Sequence, residues 1–358
     1  MKDIWTGKCM NYKNNILLVG GIALGQTPYN GETMKNQLLL ERMQQLGYRV
    51  IAVDTLHWQH RPWMLIRLLW LILFCRKAKI VVAGDISSRY LLWFLNMFPM
   101  RFCYYDWVIG GKLAEYIHNG MYSIDSLKNC KRIIVEGEYM ATQLRALGLN
   151  NVVVVPNFKP VDYHPCLKDR DNTNPFRFVF LSRVRADKGI PEIVEAVSLL
   201  RNEGVNNFKV DIYGPFDDNY EMSFRSLVST VDGVTYKGFL NLFNNGKGYE
   251  ILSSYDCMLF PTYFVREGCP GIVIDAAIAG LPMIATDWNM NRYFIKEGKT
   301  GFLIPPRNAR ALADKMKQIM ATDFDLLAMR RQCVAYAKQY DYRHVITAEL
   351  MHDLGFDD

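Results

Sequence analysis

Residues 260–286 read FPTYFVREGCPGIVIDAAIAGLPMIAT, and this stretch decides the fold. The apolar run from Cys257 to Pro261 predicts a buried strand, followed by a loop carrying Arg266, Glu267 and Gly268. A helix is expected to open at Pro270, where a missing N–H is harmless, and to close at Gly280 before Pro282. Its first turn offers free N–H groups and the positive end of the helix dipole to an anion such as a diphosphate. Glu267 lies just ahead of this helix and Asp275 about one turn inside it. Carboxylates only accept hydrogen bonds, so the two acids suit the hydroxyls of a ribose or hexose. The plain alternative is a loop salt bridge and a half-exposed helix Asp.

A second stretch repeats the order. Arg177 to Leu200, RFVFLSRVRADKGIPEIVEAVSLL, predicts a strand, a loop and a helix with Pro191 near its start. Arg183 and Lys188 lie on the loop. A forked guanidinium and a point-charge ammonium five residues apart can close on one pyrophosphate from two sides, whereas singly each is an ordinary solvated charge.

Taken together, SRVRADKGI and EGCPGIVIDAAIAGLPMIAT resemble the donor-binding half of family 4 glycosyltransferases, which have the two-domain GT-B fold. The usual family form has an Arg, then Lys-Gly before a helix, and later two Glu residues separated by seven positions. Here the second acid is Asp275, one methylene shorter than Glu.

The chain has 358 residues, enough for two domains with proper cores, and its 50% hydrophobic and 22% charged residues exclude a disordered chain. Residues 1–160 hold 19 Lys and Arg against 10 Asp and Glu, so the basic part is N-terminal. Eight cysteines without a C-x-x-C pair, and no visible secretory leader, predict reduced, mostly buried thiols of a cytoplasmic protein. His57 and His60 have a ligand-like spacing but no third ligand nearby, so no metal site is expected.

In chain order, NNILLVGG predicts a first buried strand ending in glycines, and Gly20, Gly21 and Gly25 miss the G-x-G-x-x-G spacing of a dinucleotide site. Asn30-Gly31 predicts a tight turn with positive φ that lets backbone approach a ligand. The loop around Gly31, Glu32 and Thr33, with the following helix and YRVIAVDT, resembles family 4 enzymes of bacterial capsule and exopolysaccharide assembly. There this loop lies over the donor phosphates, and Lys35 is expected to add positive charge. Arg61 to Lys79, RPWMLIRLLWLILFCRKAK, is the most hydrophobic segment, but it is too short to span a bilayer. It is either a crossover helix alone or one that also lies in a membrane interface, with Trp63, Trp70 and Phe74 inserted and Arg61, Arg67, Arg76 and Lys77 at headgroup level. Near RFCYYDWVIGG, where many family members carry a His close to the reacting sugar, this chain has Tyr104, Tyr105 and Asp106. YKGFL, with Gly238, matches the family's strand beside the nucleobase. Asp323-Phe324-Asp325 spells a D-x-D among surface-helix residues, where coincidence is the stronger explanation.

The expected architecture is α/β, a GT-B fold of two doubly wound Rossmann-like domains facing a central cleft. Residues 1–160 form the acceptor-side domain, 161–176 a linker, and 177–339 the nucleotide-sugar domain, with a C-terminal helix at about 340–358 packing back on the first. The resemblance implies a retaining, metal-independent glycosyltransferase of the hexosyltransferase type, with no cofactor. Its partners would be a nucleotide-diphosphate sugar and a saccharide or polyprenyl-linked acceptor; the Arg61–Lys79 segment, if interfacial, adds an anionic membrane surface at the inner face of the plasma membrane, and no nucleic acid is implied. Arg183, Lys188, Glu267 and Asp106 are the expected catalytic residues. Gly31, Gly238, Gly268, Gly271 and Asp275 are expected to join Arg183, Lys188 and Glu267 in holding the donor. A GT-B sugar-nucleotide epimerase and a catalytically silent partner subunit are the competing expectations, the second motivated by the missing His.

Overall fold

The computed structural model describes residues 15–28, 30–61, 63–74, 78–84, 88–217, 219–242, 246–265 and 268–357. The chain forms two compact units, one of residues 1–160 with 341–358, the other of residues 161–340.

The first unit is built on six parallel strands: β1 (Asn15–Gly20), β2 (Arg49–Asp54), β3 (Lys79–Gly84), β4 (Tyr104–Val108), β5 (Arg132–Val135) and β6 (Val152–Val154). Their spatial order is β2-β1-β3-β4-β5-β6. Continuous apolar runs such as NILLVG and KIVVAG suit strands covered on both faces. The order reverses between β1 and β3, and the crevice beyond their C-terminal ends is the place where open α/β sheets take ligands. Gly20 ends β1 with its backbone pressed on β3: a Cβ there would lie 2.1 Å from the carbonyl oxygen of Ala83.

The last residues of the chain belong to this unit. Phe356 is fully buried and stacks on Tyr105 with ring centroids 4.3 Å apart, while Lys79 donates to its carbonyl at 2.7 Å. Arg42 donates to the carbonyl of Ile346 at 2.8 Å.

Three expectations for this unit need correction. Asn30 and Gly31 do not make a positive-φ turn: Asn30 is extended at φ −146° and caps the helix Gly31–Gln45, its side chain accepting from the Thr33 amide at 2.9 Å. Gly31 is therefore the first residue of a helix. Lys35 is buried and ion-paired with Glu136, so its charge is neutralised within the unit. Asp106 lies inside β4, two residues before the strand ends, and is 1% exposed. By the two-residue period of a strand it shares a face with Tyr104 and Val108, both members of the core. It has no surface to offer a substrate, which removes it from the expected catalytic set.

The second unit has another six parallel strands: β7 (Phe176–Leu181), β8 (Phe208–Tyr213), β9 (Val234–Gly238), β10 (Cys257–Phe260), β11 (Met283–Thr286) and β12 (Gly301–Ile304). Their order, β12-β11-β10-β7-β8-β9, is that of a dinucleotide-binding sheet, with its reversal between β7 and β10. Alternate residues supply two cores. Phe178, Phe180, Leu259 and Ile284 face the helices Ile190–Asn202 and Ala309–Met320, whereas Val179, Met258, Phe260 and Ala285 face Gly271–Ile278. Residues 161–175 carry no helix or strand and pack on this unit, Tyr163 stacking on Tyr249 and Arg170 pairing with Asp256 at 3.4 Å.

Neither carboxylate oxygen of Asp106 has a hydrogen-bond partner, and burial pushes its pKa from 3.8 up to about 8. The folded state then holds a proton that the unfolded chain releases near pH 4. Stability is fully present below pH 4 and falls as pH rises to about 8, by on the order of a few kcal/mol. Asp106→Asn should remove this slope, so melting scans from pH 5 to 8.5 should find the variant increasingly more stable than the parent. Parallel pH profiles would contradict a buried, protonated Asp106.

Candidate functional site

The two stretches singled out in the sequence meet at the C-terminal ends of β7 and β10, on either side of the strand-order reversal. Gly189 joins them. It has φ +86°, closes the short 3-10 turn Ala186–Lys188 and precedes the helix Ile190–Asn202. A Cβ at this position would lie 2.3 Å from the carbonyl oxygen of Pro261, so only glycine permits this approach of the two loops. The Asp187 carbonyl accepts from the Tyr263 amide at 2.9 Å and from the Thr262 hydroxyl at 3.4 Å, tying the loops again.

Arg185, passed over in the sequence, is what fixes the first loop. Its guanidinium donates to both oxygens of Asp187, one at 2.8 Å, and lies 3.0 Å from Asp217. It also covers the Phe264 ring at 4.6 Å. Arg183 points into solvent instead, with Asp217 3.6 Å away. Lys188 is buried, its ammonium 4.7 Å from the Phe264 ring centroid and 5.8 Å from that of Phe260. One cation is thus exposed and adjustable, the other held against aromatic faces.

The second loop is braced from β11 and the turn beyond it. Thr286 donates to the Thr262 carbonyl, Trp288 to that of Phe264 at 3.0 Å, and Asn289 to that of Val265 at 3.2 Å. Arg266 and Glu267 lie outside the described residues. Gly268 precedes the helix Gly271–Ile278, for which Pro270 is the cap residue, not the first helical one.

Both helices that begin at the reversal, Ile190–Asn202 and Gly271–Ile278, lack a side-chain cap. Elsewhere in the unit the helices starting at Glu221, Lys247 and Asn291 are also uncapped, while those at Ala309 and Leu326 are capped by Asn308 and Asp325, so what marks the reversal is that two bare helix ends meet there. Uncapped amides and two dipole ends converging on one place make a receptor for an anion. Capping also accounts for the D-x-D: Asp325 accepts from the Ala328 amide at 2.8 Å.

Asp275 is 4% exposed and accepts from the Tyr249 hydroxyl at 2.6 Å. Burial, and then the Asp275 carboxylate, push the Tyr249 phenol well above its ordinary range, so it stays a donor. Sequence spacing could not reveal this partner 26 residues upstream. Gly238 ends β9, its carbonyl accepting from the Gly214 amide at 2.9 Å. A cavity of about 840 Å³ lies at the other end of the sheet, where Arg177 enters β7. In it Arg170 pairs with Asp256, and Arg330 donates to the Tyr255 carbonyl at 2.9 Å.

In the first unit, Glu32 is the residue that the sequence undersold. A Cβ added to either Gly21 or Gly84 would lie 3.3 Å from its Oε1 oxygen, which places the carboxylate over the ends of β1 and β3.

Residues 175–322 match the family model described as Glycosyl transferases group 1. The capsular polysaccharide biosynthesis glycosyltransferase CapM of Staphylococcus aureus is 24% identical over 164 residues, 44% of this chain and 39% of CapM. The N,N'-diacetylbacillosaminyl-diphospho-undecaprenol alpha-1,3-N-acetylgalactosaminyltransferase of Campylobacter jejuni is 23% identical over 252 residues, 66% of this chain and 64% of that protein. The chain thus matches less than two thirds of the length of either relative. Anabaena HepE in complex with UDP has a similar structure, with TM-score 0.71 and 12% identity over 95% of this chain and 99% of HepE. The chain therefore has the two-domain Rossmann-like α/β fold of GT-B glycosyltransferases.

Tyr249→Phe should test the buried pair. Removing the donor takes the Tyr249 hydrogen bond from a buried carboxylate, and loss of about 1–3 kcal/mol is expected in denaturant unfolding. Unchanged stability would show that the hydrogen bond does not hold Asp275.

Proposed function

We propose that the chain, whose residues 175–322 match the group 1 glycosyl transferase model, is a retaining, metal-independent glycosyltransferase acting in cell-surface polysaccharide assembly. It moves a hexosyl group from a nucleoside diphosphate sugar to a saccharide or polyprenyl-linked saccharide hydroxyl. The observation that carries this proposal is the convergence, at the β7/β10 reversal, of two uncapped helix N-termini with Arg183 and Lys188. Negative charge grows on the diphosphate as its bond to the anomeric carbon breaks, and donors aimed there beforehand lower the barrier without reorganisation. Arg183 meets the diphosphate as a fork and Lys188 as a point charge. Two cations and the helix amides supply the neutralisation that a divalent ion would otherwise provide.

The remaining roles are assigned from the family resemblance and side-chain chemistry. Glu267, which lies outside the described residues, is assigned to the donor sugar, Asp275 to the ribose hydroxyls with Tyr249 fixing its orientation, and Gly268 and Gly271 to letting backbone approach the diphosphate. Gly238 lies beside the base. Glu32, an acceptor of hydrogen bonds in the first unit, binds the acceptor hydroxyl, since a carboxylate is a poor neighbour for phosphate. The names of the two relatives support a polysaccharide or lipid-linked acceptor.

A melting screen of UDP-, GDP- and ADP-sugars identifies the donor, because a ligand of the folded state raises Tm. With that donor, Arg183→Ala and Lys188→Ala should each lower turnover by on the order of a hundredfold or more. Asp275→Asn should weaken nucleoside diphosphate binding, and Glu32→Gln should impair transfer while leaving it intact. Parental turnover in both cation variants would remove this site from the mechanism.

A further inference from the structure

The first unit carries an apolar surface that the transferase chemistry leaves unused. The helix Trp63–Phe74 buries Met64, Leu68, Leu71 and Ile72 against the sheet, the spacing of one helical face. Its outward face is apolar as well: Trp63 is 58% and Ile66 72% exposed, with Leu69, Trp70 and Phe74 beside them. The helix Ser88–Asn96 buries Leu92 and Leu95 and turns Tyr90 and Trp93 outward, and Met100 just beyond it is fully exposed. These helices make the crossovers from β2 to β3 and from β3 to β4, both running the same way along the sheet. Right-handed crossovers therefore put them side by side on one face, and their inner residues share one core.

Charge decides what covers this surface. Between residues 55 and 101 the sequence has Arg61, Arg67, Arg76, Lys77, Arg89 and Arg101, besides the buried Lys79, against one acid, Asp85. A second copy docked through the same face by two-fold symmetry would set this basic excess against itself. An anionic bilayer supplies apolar depth and opposite charge together. The helix Trp63–Phe74 has only 12 residues, and no helix among the described residues is long and apolar enough to cross a membrane, so the contact is interfacial.

A cavity of about 170 Å³ opens beside Trp63 and is lined by His57, Arg61, Met64 and Arg67. Arg67 Nε is buried without a hydrogen-bond partner. Asp54, also in the lining, has its oxygens taken by the amides of Ile22, Leu24 and Leu56 at 2.9–3.0 Å. The lining thus holds two guanidiniums against the one carboxylate of Asp54, a net positive charge for a phosphate.

We propose that the paired helices around Trp63–Phe74 and Ser88–Asn96 seat this unit in the interface of an anionic bilayer, with a lipid phosphate held at Arg61 and Arg67. The surface stands on its own observations and is independent of the transferase reading.

The test is co-sedimentation of the full chain with vesicles of phosphatidylcholine alone or mixed with phosphatidylglycerol. Binding is expected to the mixed vesicles, to weaken with salt, and to fall roughly thirtyfold in Arg61→Gln/Arg67→Gln, the effect of two basic residues. Trp70→Ser/Trp93→Ser should abolish it while the nucleoside diphosphate response in melting scans persists. For the unaltered chain, lipids brominated near the glycerol end of their acyl chains should quench tryptophan fluorescence, since Trp63, Trp70 and Trp93 are exposed on this surface. Three results would each overturn the proposal: protein left in the supernatant with anionic vesicles at low salt, equal binding to neutral vesicles, or a vesicle-free dimer that Trp70→Ser/Trp93→Ser dissociates.

Discussion

The contact on which the candidate site depends is between backbones: Gly189 against the carbonyl of Pro261. It brings the loop after β7 under the loop after β10 and fixes where two helices begin. The charged side chains are arranged around that contact. Arg185 is consumed in holding its own loop and Arg183 is exposed, while Phe260 at the end of β10 and Phe264 of the loop after it face Lys188. A side chain at Gly189 would push the loops apart and separate the anion-binding elements at once, so the Lys-Gly pair belongs together for steric as well as electrostatic reasons.

Much of this was legible because it is local. Apolar runs of four to six residues, each followed by a loop and an amphipathic helix, specify parallel strands with crossovers, and Gly189, Pro191, Gly280 and Pro282 mark the helix ends. The positions of Arg183 and Lys188 followed from the same punctuation. What was not legible depends on residues far apart in sequence. Lys35 looks like a free cation until Glu136, 101 residues on, is placed beside it. Asp275 looks like a half-exposed helix acid until Tyr249 covers it. Asp106 shows nothing in its neighbours to mark it as a buried orphan, because burial comes from the packing of β4 between β3 and β5. Asn30-Gly31 misled for a different reason: the pair serves a turn or a helix start equally well, and Thr33 completes the capping box.

The two units use a similar scaffold differently. In the second, the strand-order reversal gathers cations and bare helix ends, an environment for a diphosphate. In the first, the corresponding place holds the carboxylate of Glu32 between glycines, an environment for hydroxyls. The exposed aromatic helices of the first unit carry arginines of their own, Arg61, Arg67 and Arg89 among them. Basic composition alone could not separate these uses, since it records how many charges a domain carries and not which are already paired.

Hydrogen exchange of backbone amides, followed with and without the nucleoside diphosphate that raises Tm, addresses the central claim most directly. If the diphosphate is held where the two loops meet, protection should rise in residues 182–193 and 268–275 and remain unchanged in residues 309–337, whose helices start from side-chain caps. Protection confined to other parts of the chain, with the amides after Gly189 and Pro270 exchanging as in the free protein, would contradict the assignment of this site.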